Sequence, residues 1–560
     1  MSSKRLIFIL CFIAFQIHAQ EIVSFNDDKV ASIDSALRFY SPNKPGGQLS
    51  ISLKGRVVYS KAWGLADLEH RVPMTTETRI EAGSVSKQFT AAAILLLEKQ
   101  GKLTLDDPVN LYLPELPVYQ RPIRIRHLIH HTSGLREWGD VAELAGWPNS
   151  LRILDNGRVF EIICRQKKLN SPPGEQFRYS NSNYILLAIL VEKVSGSSFA
   201  DFTGKFIFQP AGMTHTQWRN DYTEVVPMRS TAYDIKDGRF CKSMPENNIH
   251  GSGGLLTTAE DLLKWSEFYL SARLGGNALR SKQIGLDTAS TLIFNTYAAG
   301  LFIEGSPTKR VFQHGGATAG YRAKLICLPD TGLSIAWLSN TSTLDTTGRD
   351  PALEVAGILV GPTYLSPPQE KEKVENMAVN IEKLNRYVGL YKSSHSARDV
   401  DISLGPHGLL LSGTLLKPIT EKLFRFHDIL LSFDTTKELV VYPSSSEPMR
   451  YHKTDMSLIN PIHSESYVGN YYSKEVGGWV KIRKKNKRLI ARFASGGECE
   501  LINYFVDGFI APCDLKADLF FKRGSNHEVT SLEVNTQRAY HIDFVKIKNR
   551  KALYYIPCIN

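Results

Sequence analysis

The pattern of apolar residues changes near residue 365, and this change constrains the fold more than any other feature. Strand-like and helix-like stretches follow one another before it, whereas short strand-like runs between Gly, Asn, Asp and Ser turns follow it. A chain of 560 residues is also too long for a single hydrophobic core. We therefore predict a first domain over residues 25–365 and a linker that includes Pro362, Pro367, Pro368, Lys371 and Lys373.

The first region combines predicted strands with predicted helices. Alternation of apolar and polar residues predicts strands within Gln48 to Ala62 (around a turn at Lys54 and Gly55), Val311 to His314, Ala323 to Leu328 and Leu333 to Leu338. Continuous or periodic apolar faces predict helices at Ser84 to Gln100, Tyr184 to Val194 and Ala259 to Leu270. Strands at both ends with helices between them indicate one mixed sheet covered by helices.

The second region contains an internal repeat. The segment RYVGLYKS at 386–393 resembles SYVGNYYS at 466–473. A repeat of this size is a small domain rather than one unit of a solenoid. Short strands separated by turns then predict two small antiparallel β-barrels, at 378–458 and 459–560.

The N-terminus has the pattern of a secretory signal peptide. Lys4 and Arg5 precede an apolar stretch, Leu6 to Phe15, that is too short to span a bilayer, and Ala19 ends a tolerable cleavage site. We therefore expect removal of residues 1–19 and a mature protein that is periplasmic or secreted. No later segment has the length and apolarity of a membrane helix, so no transmembrane segment is expected.

Composition and charge exclude several classes of protein. A hydrophobic fraction of 42% and a charged fraction of 22% are typical of globular proteins and argue against disorder. The net charge of +11 is spread along the chain, so no nucleic-acid partner is expected. The densest basic run, Lys481 to Arg488, indicates a solvated strand or turn, with attraction to an anionic cell envelope as the alternative.

The cysteines and histidines do not form a metal-binding pattern. Cys11 would leave with the signal peptide, and the other cysteines show no CxxC or Cys/His spacing. Export permits disulfides, and Cys499 with Cys513 is the most plausible local pair, while buried free thiols are the alternative. We expect no metal and no cofactor, because no carboxylate completes a zinc motif with His127, His130 and His131.

The segment EAGSVSK at 81–87 places a serine and a lysine three residues apart, immediately ahead of a buried helix. A serine hydroxyl needs a nearby base to act as a nucleophile. At a helix start, this spacing puts Ser84 and Lys87 on one face, and the helix N-terminus favours a developing oxyanion and a neutral lysine. Ser86 is the rival serine, but it lies next to Lys87 in sequence and should point elsewhere.

The segment PGEQFRYSN at 173–181 carries groups that could assist such a nucleophile. A lysine ammonium would lower the pKa of a neighbouring phenol, so Tyr179 could shuttle protons to and from the serine and the leaving group. Asn181 offers an amide that could orient the lysine and the substrate carbonyl. Alone, this segment reads as a polar turn.

The segment QHGGA at 313–317 lies on or beside a predicted strand. Its paired glycines, Gly315 and Gly316, would let a substrate backbone approach closely. The amide of Ala317 could join the amide of Ser84 as an oxyanion donor, and His314 supplies a polar group that can be cationic. Alone, this segment reads as a strand that ends in a glycine turn.

Together these segments resemble the serine β-lactamase and penicillin-binding-protein superfamily, particularly its class C-like and D-aminopeptidase branch. The order S-x-x-K, Y-x-N and (K/H)-(T/G)-G is that family's pattern, and the phrases GKLTLDDP at 101–108, HTSGL at 131–135 and GSGGL at 251–255 look similar to it. The resemblance implies an α+β catalytic domain with an antiparallel sheet flanked by helices. It also implies two lipocalin-like C-terminal β-barrels, as in the D-aminopeptidase relatives.

The resemblance also implies roles for the residues of the three segments. Ser84 would be the nucleophile, Lys87 its activating partner and Tyr179 the general base and acid. Asn181 would position these groups, and the substrate-binding edge and oxyanion site would consist of His314, Gly315, Gly316 and Ala317.

One departure from the family pattern bears on the substrate. The chain has His-Gly-Gly at 314–316, where many β-lactamases and carboxypeptidases have Lys-Thr-Gly. That lysine helps to bind a substrate carboxylate, whereas a histidine is only partly charged near neutrality. The departure argues against avid binding of β-lactams or free C-terminal carboxylates and is typical of D-aminopeptidase and esterase relatives.

We therefore expect a secreted serine hydrolase that forms an acyl-enzyme on amides or esters, with D-amino-acid peptides or peptidoglycan-derived peptide fragments favoured. An esterase or β-lactamase with the same site is the alternative within this chemistry. A catalytically weak protein that binds peptidoglycan or peptides is an alternative of another class, and the barrels could bind a lipid or glycan. The sequence lacks G-x-S-x-G, Walker and dinucleotide-binding motifs.

Overall fold

The computed structural model describes residues 25–147, 153–286, 296–306, 309–361, 381–393, 399–411, 413–426, 429–442, 449–454 and 464–547. The predicted signal peptide with Cys11, the proline-containing linker and Cys558 lie outside these residues. None of the described helices is long and apolar enough to cross a membrane.

The first region contains eleven described α-helices and thirteen described strands. The helices are α1 Asp27–Ala36, α2 Lys87–Lys99, α3 Ile125–Ile129, α4 Trp138–Leu144, α5 Asn156–Cys164, α6 Asn181–Ser195, α7 Phe199–Thr203, α8 Gln209–Ala211, α9 Ala259–Leu270, α10 Asn277–Gln283 and α11 Pro351–Val360. The strands are β1 Gly47–Leu53, β2 Arg56–Trp63, β3 Leu65–Asp67, β4 Val72–Pro73, β5 Ile80–Glu81, β6 Gln217–Trp218, β7 Tyr233–Lys236, β8 Arg239–Lys242, β9 Leu255–Thr257, β10 Phe302–Ser306, β11 Lys309–Thr318, β12 Tyr321–Leu328 and β13 Leu333–Ser339.

A six-stranded sheet in the order β10-β11-β12-β13-β1-β2 forms the centre of this region. All of its pairings are antiparallel, as the family resemblance implied. The element pattern alone indicates a sheet with both parallel and antiparallel pairs, and this inference is wrong. Consecutive strands from β10 to β13, and β1 with β2, are joined by short hairpins, and such connections make antiparallel neighbours. The predicted turn at Lys54 and Gly55 is present, and both residues have positive φ.

The sheet separates two apolar layers. Alternate residues of β13 face opposite sides: Ala336 and Leu338 join the large core that contains α2 and α6, whereas Ile335 and Trp337 join the core beneath α1 and α11. Helix α2 is buried along most of its length, which explains its nearly continuous apolar sequence. The first region therefore has three layers, with the sheet between two layers of helices. This arrangement places the start of α2 at one end of β11.

The predicted helix at Ser84 begins differently in the structure. A 3-10 turn covers Gly83–Ser86, and the α-helix starts at Lys87. Gly83 has a φ of 50°, in the left-handed region that glycine tolerates best. An added Cβ at Gly83 would lie 2.6 Å from the backbone nitrogen of Ala317, so the tight turn allows the backbone of β11 to pass next to Ser84.

The second region consists of two nine-stranded antiparallel sheets. The strands of the first are β14 Gly389–Lys392, β15 Val400–Gly405, β16 Gly408–Leu411, β17 Thr414–Leu415, β18 Lys417–Pro418, β19 Leu423–Phe426, β20 Ile429–Phe433, β21 Glu438–Tyr442 and β22 Met449–Lys453, preceded by α12 Ile381–Leu384. Those of the second are β23 Gly469–Ser473, β24 Gly478–Lys485, β25 Arg488–Phe493, β26 Glu498–Glu500, β27 Ile502–Phe505, β28 Gly508–Ala511, β29 Ala517–Arg523, β30 Val529–Asn535 and β31 Ile542–Ile547.

Both sheets are nearly closed barrels with the same strand order. In each, the first strand pairs with the last, and the two edge strands are consecutive in sequence, β17 with β18 and β26 with β27. The sequence repeat has a structural counterpart: the Tyr391 hydroxyl donates to the carbonyl of Tyr387 at 2.8 Å, and the Tyr471 hydroxyl donates to the carbonyl of Tyr467 at 2.7 Å. The prediction of two barrels is confirmed.

The second barrel packs directly on the first region. Val141, Ala142 and Leu144 of α4 belong to the same buried apolar cluster as the interior of this barrel. The Cys499–Cys513 disulfide is formed in the second barrel, whereas Cys164, Cys241 and Cys327 are free thiols. Of the two alternatives for Cys499 and Cys513, the disulfide is therefore the one present.

Candidate active site

Ser84 and Lys87 meet at the junction of the 3-10 turn and α2. The Lys87 Nζ donates to the Ser84 Oγ at 3.0 Å, to the Asn181 Oδ1 at 2.8 Å and to the carbonyl of Ser252 at 2.7 Å. Lys87 is fully buried, while Ser84 is partly exposed. The structure thus brings the predicted serine, lysine and asparagine together and fixes the lysine beneath an accessible hydroxyl.

Tyr179 lies immediately before α6, beside this group. The Lys87 Nζ is 4.8 Å from the centre of the Tyr179 ring. The Tyr179 ring also lies 4.3 Å from the ring of His131, whose Nδ1 accepts from the backbone N–H of Ser180 at 3.2 Å. His131 belongs to the HTSGL phrase, and in the structure it supports the turn that carries Tyr179.

Glu137 is a member of the site that the sequence did not single out. It is buried, and its carboxylate accepts from the backbone N–H of Asn181 at 2.6 Å and from the Nδ2 of Asn181 at 3.1 Å. The same carboxylate accepts from the Ser180 hydroxyl at 3.2 Å. No local sequence pattern signals this role, because the contact joins residues that are 44 positions apart.

His314 is buried on β11 and is held neutral. Its Nδ1 lies 2.6 Å from the carbonyl oxygen of Gly315, which can only accept, so Nδ1 carries the proton. Its Nε2 then accepts from the Tyr297 hydroxyl at 2.9 Å. Burial and the nearby charge of Lys87 lower the pKa of His314 to about 3. Of the two charge states open to this histidine, the structure favours the neutral one, because a buried imidazolium beside an ammonium is costly.

The backbone of β11 passes close to the serine turn at Gly316. An added Cβ at Gly316 would lie 2.0 Å from the carbonyl oxygen of Ala82 and 3.2 Å from the nitrogen of Ser84. An added Cβ at Gly83 would likewise lie 2.6 Å from the nitrogen of Ala317. The two amides predicted as oxyanion donors therefore lie on adjacent backbones at the exposed end of the turn.

Among the described residues, the same end of β11 has no strand partner along one edge, which is called the open edge below. Strand β10 pairs with β11 only as far as Gln313 within the described residues, so His314 to Thr318 have a sheet partner on one side, namely β12. Gly315 and Gly316 are partly exposed, and Ala317 is exposed. An extended substrate backbone can pair with such an edge.

A loop of the second barrel, 536–541 between β30 and β31, borders the site. The carbonyl of Arg538 accepts from the backbone N–H of Glu137 at 3.1 Å. The carbonyl of Tyr540 accepts from the Arg136 Nε at 2.8 Å, and the Tyr540 ring lies 4.8 Å from the guanidinium of Arg178. The barrel is therefore anchored at Glu137 itself and at Arg136 and Arg178, which neighbour Glu137 and Tyr179 in sequence.

The three clustered histidines hold separate positions. The His127 Nδ1 accepts from the backbone N–H of Arg124, the His130 Nδ1 contacts the carbonyl of Tyr297, and the His131 Nδ1 accepts from Ser180. The Nδ1 atoms of the three rings thus contact three different backbone groups. Asp67, Glu69 and His70 form the one described cluster with metal-ligating distances, and it is largely exposed and partly ion-paired with Lys242.

The chain is similar to known proteins over both regions. The Beta-lactamase family model matches residues 33–358. Penicillin-binding protein 4* of Bacillus subtilis (strain 168) is 30% identical over 427 residues, which are 70% of this chain and 92% of that protein. A D-aminopeptidase of Brucella anthropi is 32% identical over 339 residues, which are 60% of this chain and 62% of that protein.

A solved structure shares the fold at low sequence identity. The octameric penicillin-binding protein homologue from Pyrococcus abyssi has a TM-score of 0.52 and 20% identity, over 93% of this chain and 99% of that chain. The family model covers more than half of the chain, and it agrees with the motif order and with the convergence of Ser84 and Lys87. The chain therefore belongs to the beta-lactamase family, and it is a serine hydrolase of the β-lactamase and penicillin-binding-protein type.

Proposed function

We propose that this serine hydrolase forms an acyl-enzyme at Ser84 and acts on small amides and peptides of D-amino acids, including peptide fragments of the cell wall. The observation that carries the proposal is the contact of the Lys87 Nζ with the Ser84 Oγ, 3.0 Å, beneath an open strand edge. The D-aminopeptidase relative supports the choice of substrate class.

The first step is acylation. The Ser84 Oγ attacks the substrate carbonyl carbon, and its proton passes to Tyr179. We propose that Lys87 acts as an ammonium, rather than as the neutral lysine that the helix N-terminus alone would favour, because its Nζ has three polar contacts. Its charge then favours a phenolate at Tyr179, whose ring centre is 4.8 Å away. The carbonyl oxygen becomes an oxyanion that the backbone amides of Ser84 and Ala317 stabilise.

The tetrahedral intermediate then collapses. The bond from the carbonyl carbon to the leaving nitrogen breaks, and Tyr179 returns its proton to the departing amine. A water molecule, deprotonated by Tyr179, attacks the acyl-enzyme, and the Ser84 Oγ leaves and recovers the proton. The products are the free acid and the amine, and the enzyme returns to its starting state.

Neutral His314 supports substrates without a carboxylate next to the scissile bond. The family's lysine at this position would attract such a carboxylate, whereas a buried imidazole with a pKa of about 3 carries no charge at neutral pH. Substrates that place a free amino group or a neutral amide at this edge do not need a positive charge there. D-aminoacyl amides and peptides with a free N-terminus meet this description.

We also propose that the protein acts outside the cytoplasm. The signal-like N-terminal pattern supports export. The Cys499–Cys513 disulfide supports the same conclusion, since disulfides persist mainly in oxidising compartments.

The test is hydrolysis of p-nitroanilides of D-alanine and L-alanine, with and without an N-acetyl group. We expect release of p-nitroaniline from the free D-alanine derivative, little from the L or acetylated derivatives, and none with Ser84→Ala. Turnover of p-nitrophenyl butyrate or nitrocefin without turnover of the D-alanine derivative would overturn the substrate proposal and favour an esterase or a β-lactamase.

A further inference from the structure

Glu137 and Asn181 form a buried contact in which Glu137 can only accept hydrogen bonds, so Asn181 must donate them. Glu137 is 2% exposed and lies at the start of α4. Its two carboxylate oxygens divide the polar groups of Asn181 between them: one accepts from the backbone N–H at 2.6 Å, and the other accepts from the side-chain Nδ2 at 3.1 Å. An ionised carboxylate has only acceptors, so both groups that face it must be donors.

This restriction fixes the orientation of the Asn181 amide. An asparagine amide has a donor end and an acceptor end, and a rotation of 180° about its last bond exchanges them. With Nδ2 facing Glu137, Oδ1 faces Lys87 and accepts from its Nζ at 2.8 Å. The flipped amide would place an oxygen against the carboxylate and an NH₂ group against the lysine, and both contacts would be repulsive.

We propose that Glu137 is a positioning residue for the reaction, which acts by holding the Asn181 amide with its oxygen towards Lys87. The inference rests on the proposed Ser84 chemistry. Lys87 contacts Ser84, Asn181 and the Ser252 carbonyl, so a misoriented Asn181 would displace the ammonium from the nucleophile. Glu137 acts on this group through its two hydrogen bonds to Asn181.

A glutamine at this position tests the hydrogen-bond logic directly, because it keeps the shape and removes the restriction. One end of its amide could still accept from the Asn181 backbone N–H. The other end would be a donor that faces the donor Nδ2, so Asn181 would be driven to flip. Glu143→Gln is the matched control, because Glu143 lies on the same helix and outside the site.

The readout is the rate at which an alkyl fluorophosphonate labels Ser84, followed by intact mass, and it needs no knowledge of the natural substrate. The Ser84 Oγ forms a bond to phosphorus, fluoride leaves, and the hydroxyl proton passes to Tyr179. We expect Glu137→Gln to react about 10- to 100-fold more slowly than the wild type, as for other small misplacements of reacting groups. Glu143→Gln should react within about twofold of the wild type, since the charged neighbours of Glu143 are Asp140 and Asp514 rather than the groups around Lys87.

A double-mutant cycle distinguishes positioning from a general structural effect. In an Asn181→Ala background, Glu137→Gln should have no further effect on labelling, because the group that it orients is absent. Effects that multiply in the double variant, or labelling of Glu137→Gln at the wild-type rate, would overturn the proposal.

A second variant covers the case in which Glu137→Gln does not fold. Glu137→Asp keeps an acceptor-only group. In an Asn181→Ala background, it too should have no further effect on the labelling rate. Where both variants fold, Glu137→Asp should react faster than Glu137→Gln despite its poorer match in shape, and the reverse order would contradict the proposal.

A wild type that is labelled but does not hydrolyse D-aminoacyl amides would refute the proposed substrate alone. A wild type that is not labelled at Ser84 would refute both proposals.

Discussion

The hydroxyl of Tyr297 donates a hydrogen bond to the Nε2 of His314 across 2.9 Å. Because the Nδ1 of the same ring is committed to the carbonyl of Gly315, the imidazole has one donor, one acceptor and no net charge. Tyr297 itself is fully buried, so this contact is sealed from solvent. The strand edge that faces the substrate therefore differs from a Lys-Thr-Gly edge in charge as well as in sequence.

The neutrality of His314 predicts a pH dependence of stability. The folded pKa is about 3 against an ordinary value of 6.5, so the unfolded chain binds a proton that the folded protein does not as the pH falls below 6.5. Stability should therefore decrease from pH 7 to pH 5, and His314→Asn should remove part of this decrease. Melting temperatures of both proteins at several pH values provide the measurement, and parallel curves would contradict the neutral, buried state of His314.

Gly316 should not tolerate a side chain. An alanine Cβ there would lie 2.0 Å from the Ala82 carbonyl oxygen, so the serine turn and β11 would have to separate. We expect Gly316→Ala to lower kcat/KM for the D-alanine anilide by at least about 100-fold, the typical effect of losing an oxyanion donor. Gly357→Ala is the control, because an added Cβ in α11 meets no atom within 4 Å. Equal activity of the two variants would show that the close approach is not needed.

The sequence predicted the residues of the site better than it predicted their surroundings. Ser84 and Lys87 could be paired from sequence because a local helical turn determines their distance. Glu137 and Tyr297 could not be found in this way, because tertiary packing brings them to Asn181 and His314. The charge of His314 could not be decided from the sequence for a related reason, since its pKa depends on burial and on Lys87, which no spacing reveals.

The two barrels were predictable from the repeat, but the position of the second barrel was not. Val141, Ala142 and Leu144 belong to the first region in sequence, yet they pack into the cluster of the second barrel. The loop 536–541 likewise has no motif that indicates contact with Glu137. Such contacts depend on how two folded units dock, and patterns among residues close in sequence carry no information about this docking.

The buried ion pair between Arg136 and Glu475 should stabilise the docked barrel. The Arg136 Nη1 is 2.7 Å from the Glu475 Oε1, and the side chains are 0% and 12% exposed. Glu475→Gln leaves a buried guanidinium without its counter-charge, and we expect a loss of about 3–5 kcal/mol in the free energy of unfolding. Urea unfolding followed by tryptophan fluorescence measures this change.

The control for this pair is an exposed ion pair in the same barrel. Arg488 and Glu500 are 2.8 Å apart, with side chains 68% and 44% exposed. Glu500→Gln should cost less than about 1 kcal/mol, because solvent screens such pairs. An equal effect of Glu475→Gln and Glu500→Gln would mean that the buried pair does not hold the barrel in place.

The most direct test of the account is the identity of the acylated residue. The protein is mixed with the p-nitrophenyl ester of D-alanine, quenched in acid within the first turnovers, and its intact mass and peptide masses are measured. We predict one D-alanyl adduct on the peptide that contains Ser84, present in the wild type and in Ser86→Ala and absent from Ser84→Ala. An adduct that persists in Ser84→Ala, or that maps to another residue, would contradict the assignment of Ser84 as the nucleophile.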